Sequence, residues 1–510
     1  MNTPPTGSTA RRGLMAAGAV AAILMVTVSL LLRPIINQPS LMELIGEGVL
    51  QTMPTALFSL LLVAFGGRAK PLLVGGIAVA IAFVGMGLAQ IDGGPANAST
   101  RRRRVTRILS LTVSIWLPLA IGAVLVTTYG AVQPMSSREL LSLCAVLLVD
   151  VGVYAVGVYV LYPLITSAAL STRVDTESTL SRRALLSRTA AGGVALVGSV
   201  VIARFAIGIR GGVIGRRDAV EPTPLTDVDD FYVVSKNIVD PDVDEGDWEL
   251  ELSGLVTTPL LLNLADLLAR PQVEQQTTLT CISNHVGGDL IGNAVWSGVR
   301  TADLLLEAGL TGNVADIALY ADDGYSESLP LSVLLDSRTI LALRMNGEPL
   351  TRRHGYPARL VVPGKYGIKN VKWITRIEPR AGEFRGYWQQ KGWTDDATIE
   401  TMSRIDLPGS RTIFDRQPIL CAGVAYAGSR GVATVELQIN DGAWHTVDEV
   451  ISVAPLSWVL WRSTWNPPDS GTFTIRVRAT DADGNVQTDE RRNPIPDGAT
   501  GHHRIQIGIA

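Results

Sequence analysis

Runs of about twenty apolar residues, the length needed to cross the hydrocarbon core of a bilayer, fill the first 210 residues of this 510-residue chain. The remainder reads as ordinary soluble sequence. Four spans meet the criterion: Leu14 to Leu32, Leu72 to Leu88, Ile108 to Thr128 and Leu140 to Ile165. A further stretch, Ile45 to Phe65, is interrupted by Glu47, Gln51 and Pro54, and either spans or lies in the interface. Another, Thr189 to Ile209, follows Arg182 and Arg183 and carries Arg204 near its far end. The expectation for residues 1–210 is an N-terminal α-helical transmembrane bundle of five to six helices in contact with membrane lipid.

Orientation follows from basic clusters, because Lys and Arg beside a span stay on the cytoplasmic side. Arg101 to Arg104 with Arg107, and Arg182, Arg183 and Arg188, are separated by two spans, so both groups fit the inside. The last span then delivers everything after residue 210 to the outer face. Arg11 and Arg12 favour the inside for the N-terminus, while the uncertain count of earlier helices leaves its side open. Ser181-Arg182-Arg183-Ala184-Leu185-Leu186, ahead of Gly- and Ala-rich apolar sequence, reads as an internal twin-arginine export signal or as a plain basic anchor. The predicted location is the cell membrane, multi-pass, with the catalytic domain extracytoplasmic.

Residues 211–230 form a linker with Gly-Gly, Arg-Arg, Pro222 and Pro224. Residues 231–402 mix strands and short helices without regular βα alternation, which predicts a central α+β domain. Strands are expected at Trp248 to Leu252, Gln275 to Cys281, Ile317 to Tyr320, Ile340 to Met345, Arg359 to Val362 and Val371 to Ile377. Helices are expected at Thr301 to Ala308 and, capped by Asn263, at Leu264 to Ala269. From residue 403 to 510 the texture is all-β. Val435, Leu437 and Ile439 alternate, Asn440-Asp441-Gly442 turns, and Phe473, Ile475, Val477 and Ala479 repeat the period of two. That spacing predicts a C-terminal immunoglobulin-like sandwich.

Composition removes several function classes. A net charge of −3 gives no reason to expect a nucleic-acid partner. Three cysteines, Cys144, Cys281 and Cys421, are too few for a disulfide framework or an iron–sulfur cluster. All five histidines lie at or beyond residue 285, so the membrane half offers none to ligate a haem. There is no Gly-rich dinucleotide fingerprint and no phosphate loop.

Two segments carry chemistry. The first runs Thr278-Leu-Thr-Cys281-Ile-Ser-Asn284, then Gly287-Gly288-Asp289-Leu290-Ile291-Gly292-Asn293-Ala294 to Trp296-Ser-Gly298-Val299. A thiolate at a strand end beside Asn284 and a Gly-rich loop suits a soft metal ligand. The bland alternative is a buried inert thiol or a disulfide with Cys421. The second runs His354-Gly-Tyr-Pro-Ala-Arg359-Leu-Val-Val-Pro363-Gly364 and on through Lys369-Asn370-Val371-Lys372-Trp373. An arginine fork, a lysine and a Gly-containing turn suit phosphate. For His354 the bland alternative is a hydrogen bond to backbone, and Lys365, Lys369 and Arg385 individually read as a solvated basic face.

Together these segments resemble the molybdenum-cysteine and pterin-binding stretches of the sulfite-oxidase family, over roughly residues 230–400, with residues 405–510 similar to that family's C-terminal dimerisation domain. The resemblance implies a molybdenum-molybdopterin cofactor whose metal is held by Cys281. It also implies pterin contacts from His354, Arg359, Asn370, Val371 and Lys372, with Asp323 a weaker match. Asn284 and Lys236 are further site candidates, Lys236 standing in the Phe231-Tyr-Val-Val-Ser-Lys236-Asn237 segment where sulfite oxidases carry an arginine. His285 and Val286 stand where those enzymes have arginines, and Trp393 where they have an active-site tyrosine. Lys lacks the planar fork of Arg, and Trp cannot give a phenolic proton, so sulfite oxidation is disfavoured and oxide reduction is equally open. The expected function is two-electron redox or oxygen-atom transfer on a small-molecule substrate, with a separate electron-transfer partner and, by analogy, a homodimer. The competing classes are a cofactor-less membrane receptor with an exported sandwich, and a transporter. Few intramembrane charges beyond Glu47 and Asp150 speak for the latter.

Overall fold

Among the described residues before 211, large apolar side chains face outward as well as inward. The computed structural model describes residues 7–36, 39–54, 57, 60–61, 65, 69–90, 137–171, 197–202, 220–237 and 240–510. The expected span Ile108 to Thr128, most of Thr189 to Ile209, and the Ser181 to Leu186 motif lie outside the described residues. The chain divides into one unit of residues 1–210 with 237–239, and a second containing the rest.

In the first unit, α1 (Gly7–Ile36), α2 (Leu41–Thr52), α3 (Ala69–Gln90) and α4 (Ser137–Ser171) pack through small residues. A Cβ on Gly85 of α3 would meet Gly18 O of α1 at 2.7 Å, so bare backbone is what lets the two helices approach. Tyr154 of α4 donates to the Gly85 carbonyl at 2.8 Å, and Ser29 donates to Asp150 at 3.2 Å. On the outer faces Phe83 is 64% exposed and Leu148 63%. A helix apolar on all sides is covered by protein or by lipid. Met15–Leu32 and Ala69–Gly87 are long and apolar enough to cross a membrane. The interrupted stretch from Ile45 to Phe65 does not form one continuous helix. Ser40 caps α2 through a reciprocal box with Glu43, and the helix stops at Thr52, with Met53 extended ahead of Pro54. A proline bars the preceding residue from helical geometry.

The second unit begins with β1 (Leu250–Leu252), β2 (Leu260–Leu262), α5 (Leu264–Leu268), β3 (Val273–Thr280), β4 (Ile291–Arg300) and α6 (Thr301–Ala308). It continues with β5 (Asp316–Ala321), β6 (Ser326–Pro330), α7 (Leu331–Leu334), β7 (Ile340–Met345), β8 (Glu348–Pro349), β9 (Arg359–Val361) and β10 (Ile374–Arg380). One sheet has the order β2-β1-β10-β5-β6; the other is β3-β4-β7-β8, with β9 also on β7. Leu250, Leu252, Ile317, Leu319 and Ile377 of the first sheet share a core with Val299, Leu341, Leu343 and Leu360 of the second. The strand expected from Val371 starts only at Ile374, because Trp373 takes φ +50° and breaks the ladder.

The rest of the chain is β-rich: β11 (Met402–Leu407), β12 (Ile413–Phe414), β13 (Ile419–Tyr426), β14 (Val432–Ile439), β15 (Trp444–Thr446), β16 (Glu449–Ser452), β17 (Val459–Trp465), β18 (Gly471–Asp481) and β19 (His503–Ile509). The sheets β11-β13-β17-β16 and β12-β19-β18-β14-β15 enclose one core that includes Cys421, Trp461, Val435, Val477 and Ile507. This region braces β3. Thr278 N donates to Leu456 O at 3.1 Å, Tyr426 donates to Thr278 O at 3.0 Å, and Thr278 Oγ1 accepts from Trp458 N at 2.8 Å.

Lys369 corrects an expectation. Far from a solvated face, its side chain is 1% exposed and donates to Glu327 at 2.9 Å, Ser328 O at 2.9 Å and Asp395 at 3.0 Å. Lys365 is also tied down, to Asp396 and Thr398; Arg385 is exposed as expected. Glu327 further accepts from Tyr325 at 2.9 Å and Gln389 at 3.2 Å. Removing one member of such a pair strands the other, at about 3 kcal/mol or more. Lys369→Met should therefore lower the stability of the second unit by about that amount, read from urea unfolding by tryptophan fluorescence. A loss under about 0.5 kcal/mol would show the pair contributes little.

Candidate functional site

Strand β3 ends at Thr280 and delivers Cys281 into a tight loop before β4. Cys281 N donates to Leu290 O at 2.9 Å, closing the base of the loop, and Asn284 N donates to Cys281 O at 3.0 Å. Asn284 Oδ1 accepts from Leu290 N at 3.1 Å. Position 288 must be glycine, since a Cβ there would lie 2.3 Å from that same Oδ1. The thiol is buried, free of any disulfide, and 3.0 Å from Ser283 Oγ. Cys421 is likewise a free buried thiol, so the disulfide alternative is gone.

Around this thiol the structure gathers residues from three other segments. The cation of Lys372 eases the Cys281 thiol, and Tyr232 interacts electrostatically with both Cys281 and Arg359. Gly367 lies so close that a Cβ there would sit 3.7 Å from Cys281 Cα and 3.0 Å from the Tyr232 hydroxyl. Arg359 is buried over the Trp296 ring at 5.0 Å, with Nη1 donating to His354 O at 3.2 Å and Nη2 to Asn370 O at 3.4 Å. Its buried Nε has no hydrogen-bond partner, and no carboxylate among the described residues pairs with the guanidinium. Lys372 donates to Ser235 at 3.0 Å and Arg353 O at 3.1 Å, 4.1 Å above the Trp373 ring.

Burial governs the electrostatics. It pushes the Cys281 thiol up, an effect offset in part by hydrogen bonds from Ser283 and by Lys372. It pulls Arg359 down to about 10, which still leaves a full positive charge at neutral pH. It pulls His354 to about 4, with Arg359, Lys372 and Arg353 adding to the shift. His354 is therefore neutral, its Nε2 2.9 Å from Val228 O and its ring edge-on to Phe231. A thiol, a neutral imidazole and the Arg359 and Lys372 cations thus converge, an arrangement suited to a soft metal ion beside a phosphate-like anion.

The remaining sequence candidates take supporting positions. Asn370 spends its side chain on Val362 N, Lys365 O and Tyr366 O, and so shapes the turn. Val371 is buried and accepts from Leu360 N at 2.8 Å. Lys236 and Asp323 meet each other, Nζ donating to Asp323 O at 2.7 Å, with the ammonium 5.6 Å over the Tyr387 ring. Trp393 is buried and stacked on Trp388 at 4.1 Å. Sequence reasoning missed Tyr232, Ser283 and Tyr366 as neighbours of the thiol. Ser283 stands two residues from Cys281 and was open to inspection; Tyr232 and Tyr366 needed the fold.

Residues 237–388 match the family model described as the oxidoreductase molybdopterin binding domain. The chain is 36% identical over 146 residues to the uncharacterized oxidoreductase YuiH of Bacillus subtilis, covering 29% of this chain and 72% of that protein. It is 29% identical over 315 residues to the mitochondrial sulfite oxidase of Drosophila melanogaster, covering 51% of this chain but only 55% of that protein. With the sulfite oxidase of Gallus gallus the identity is 30%, covering 51% and 67%. Among solved structures, the sulfane dehydrogenase SoxCD of Paracoccus pantotrophus superposes with a TM-score of 0.50 at 22% identity, over 56% of this chain and 85% of that one, a likeness of fold.

The buried imidazoles set a pH dependence. His354 and His503 both titrate near 4 in the fold, against about 6.5 in an unfolded chain. Between those values the unfolded state binds more protons, so stability is complete above about pH 6.5 and is lost progressively as pH falls toward 4. His354→Gln should flatten part of that fall in the urea midpoint. An unchanged slope in the variant would contradict the assignment.

Proposed function

Because the chain belongs to the molybdopterin-binding oxidoreductases of the sulfite-oxidase type, we propose that it is a membrane-anchored member catalysing oxygen-atom transfer on a small substrate at the outer face. It is a molybdopterin-dependent oxidoreductase, and its cofactor is molybdenum-molybdopterin. When bound, that group supplies two-electron redox chemistry. Cys281 would ligate the metal; Arg359 and Lys372 would hold the pterin phosphate, with Tyr232 and neutral His354 completing the wall. Asn284, Asn370 and Val371 fix the loops that present these groups, and Lys236 with Asp323 orders the adjoining segment. The observation that carries this reading is the buried Arg359 guanidinium, which among the described residues has no acid partner and an unsatisfied Nε, and which shares its neighbour Tyr232 with the free Cys281 thiol.

The wider assignment extends from there. Residues 1–210 would anchor the chain, 211–230 link, 231–402 hold the cofactor, and 403–510 form an immunoglobulin-like sandwich that supports a homodimer. The apolar α1 and α3 support the anchor. Electrons would pass to or from a separate carrier.

Two measurements test this. Purified from cells grown with ample molybdate, the chain should hold about one molybdenum per protein, as a site folded around its ligands retains metal. Cys281→Ser should abolish turnover, and Arg359→Met should lower cofactor content; a wild-type chain devoid of molybdenum would overturn the reading. For topology, a reporter fused after Gly211 should act outside the cytoplasm, and replacing Arg182 and Arg183 by lysines should block it. A cytoplasmic reporter would reverse the orientation.

A further inference from the structure

The hydroxyl of Ser283 lies 3.0 Å from the Cys281 sulfur, and among the described residues it makes no other hydrogen bond. A tight turn puts it there. Asn284 N donates to Cys281 O at 3.0 Å, so Ile282 and Ser283 occupy the two corners, Ile282 fully buried and Ser283 half-buried. Leu290 pins the base of the turn from both ends, accepting from Cys281 N at 2.9 Å and donating to Asn284 Oδ1 at 3.1 Å.

Metal binding fixes which atom donates. A thiol and a hydroxyl can each donate to the other, but a thiolate has lost its proton and can only accept. With Cys281 ionised, Ser283 Oγ–H is the donor and the sulfur the acceptor. We propose that Ser283 is a positioning residue that donates a hydrogen bond to the metal-bound Cys281 thiolate and thereby raises the reduction potential of the molybdenum centre; the assignment rests on the enzyme reading above. The direction follows from charge. Negative charge on the sulfur grows as the centre gains an electron, so a donor stabilises the reduced state more than the oxidised one, and hydrogen bonds to ligating sulfur are a general means of tuning a metal's potential.

Two further observations set this role apart from a merely structural one. Serine in a turn ordinarily bonds back to nearby backbone, whereas this hydroxyl is spent on the sulfur. The bonds that close the loop run between the backbone of Cys281, Asn284 and Leu290 and the Asn284 side chain, so the loop does not need the Ser283 hydroxyl to keep its shape. The backbone of Ser283 also hydrogen-bonds the same sulfur, and Lys372 acts on it through charge. Both of these survive a change of the Ser283 side chain, which isolates the hydroxyl as the variable.

A redox titration of the purified holoenzyme, followed by the paramagnetic resonance of its half-reduced molybdenum, reads the effect without turnover. Ser283→Ala should shift the one-electron reduction equilibrium toward the oxidised side by about threefold, the size of a modest hydrogen-bond difference, which is a fall of about 28 mV in potential. Ser283→Thr keeps the donor and should titrate with the wild type. Molybdenum content should be the same in all three proteins. An unmoved potential in Ser283→Ala, or a threonine variant as low as the alanine one, overturns the proposal. So does an alanine variant that holds no molybdenum beside a loaded wild type, since the serine would then serve cofactor retention. A wild type without molybdenum overturns the enzyme reading and this proposal with it, so the two failures are told apart.

Discussion

A guanidinium taken out of water is costly unless an anion or a full set of acceptors replaces its hydration. Arg359 has two long hydrogen bonds to backbone carbonyls, an aromatic face beneath it, and a buried Nε that reaches nothing. Nearby Lys372 adds a second positive charge, and His354 stays neutral chiefly because it is buried, with the neighbouring cations adding to the effect. An anionic group bound beside Arg359 would supply the acceptor that its Nε lacks.

The frame of the site is built from both sides. Strand β3 is fixed on one side by β4, through a continuous ladder from Val273 to Thr280, and on the other by Leu456, Trp458 and Tyr426 of the β-rich region. The buried Lys369–Glu327 pair holds the segment that leads into Asn370 and Lys372. Cys281 is therefore presented by a strand end with little freedom, and the turn opposite is fixed by Asn370. Rigid support of this kind is what positions a metal ligand against the groups that orient its cofactor.

Periodic elements were readable from the chain alone. Thr301–Ala308 and Ile340–Met345 fall where local patterning puts them, because their core faces are written in a simple repeat. The approach of Cys281, His354, Arg359 and Lys372 was legible through the two motifs. What was hidden depended on tertiary partners. Lys369 looks like a surface charge until Glu327, forty-two residues earlier, is placed against it. Tyr232 carries no signal of its own in the sequence until the fold sets its hydroxyl beside Gly367. Val371 to Trp373 reads as strand because apolar Val371 and Trp373 flank polar Lys372 in a period of two, but Trp373 takes φ +50° and breaks that pattern.

The central claim is a bond between the Cys281 sulfur and molybdenum, and X-ray absorption at the molybdenum edge tests it most directly. Wild-type holoenzyme should show one sulfur neighbour more than Cys281→Ser loaded with the same cofactor. Equal sulfur counts in the two proteins would contradict the account.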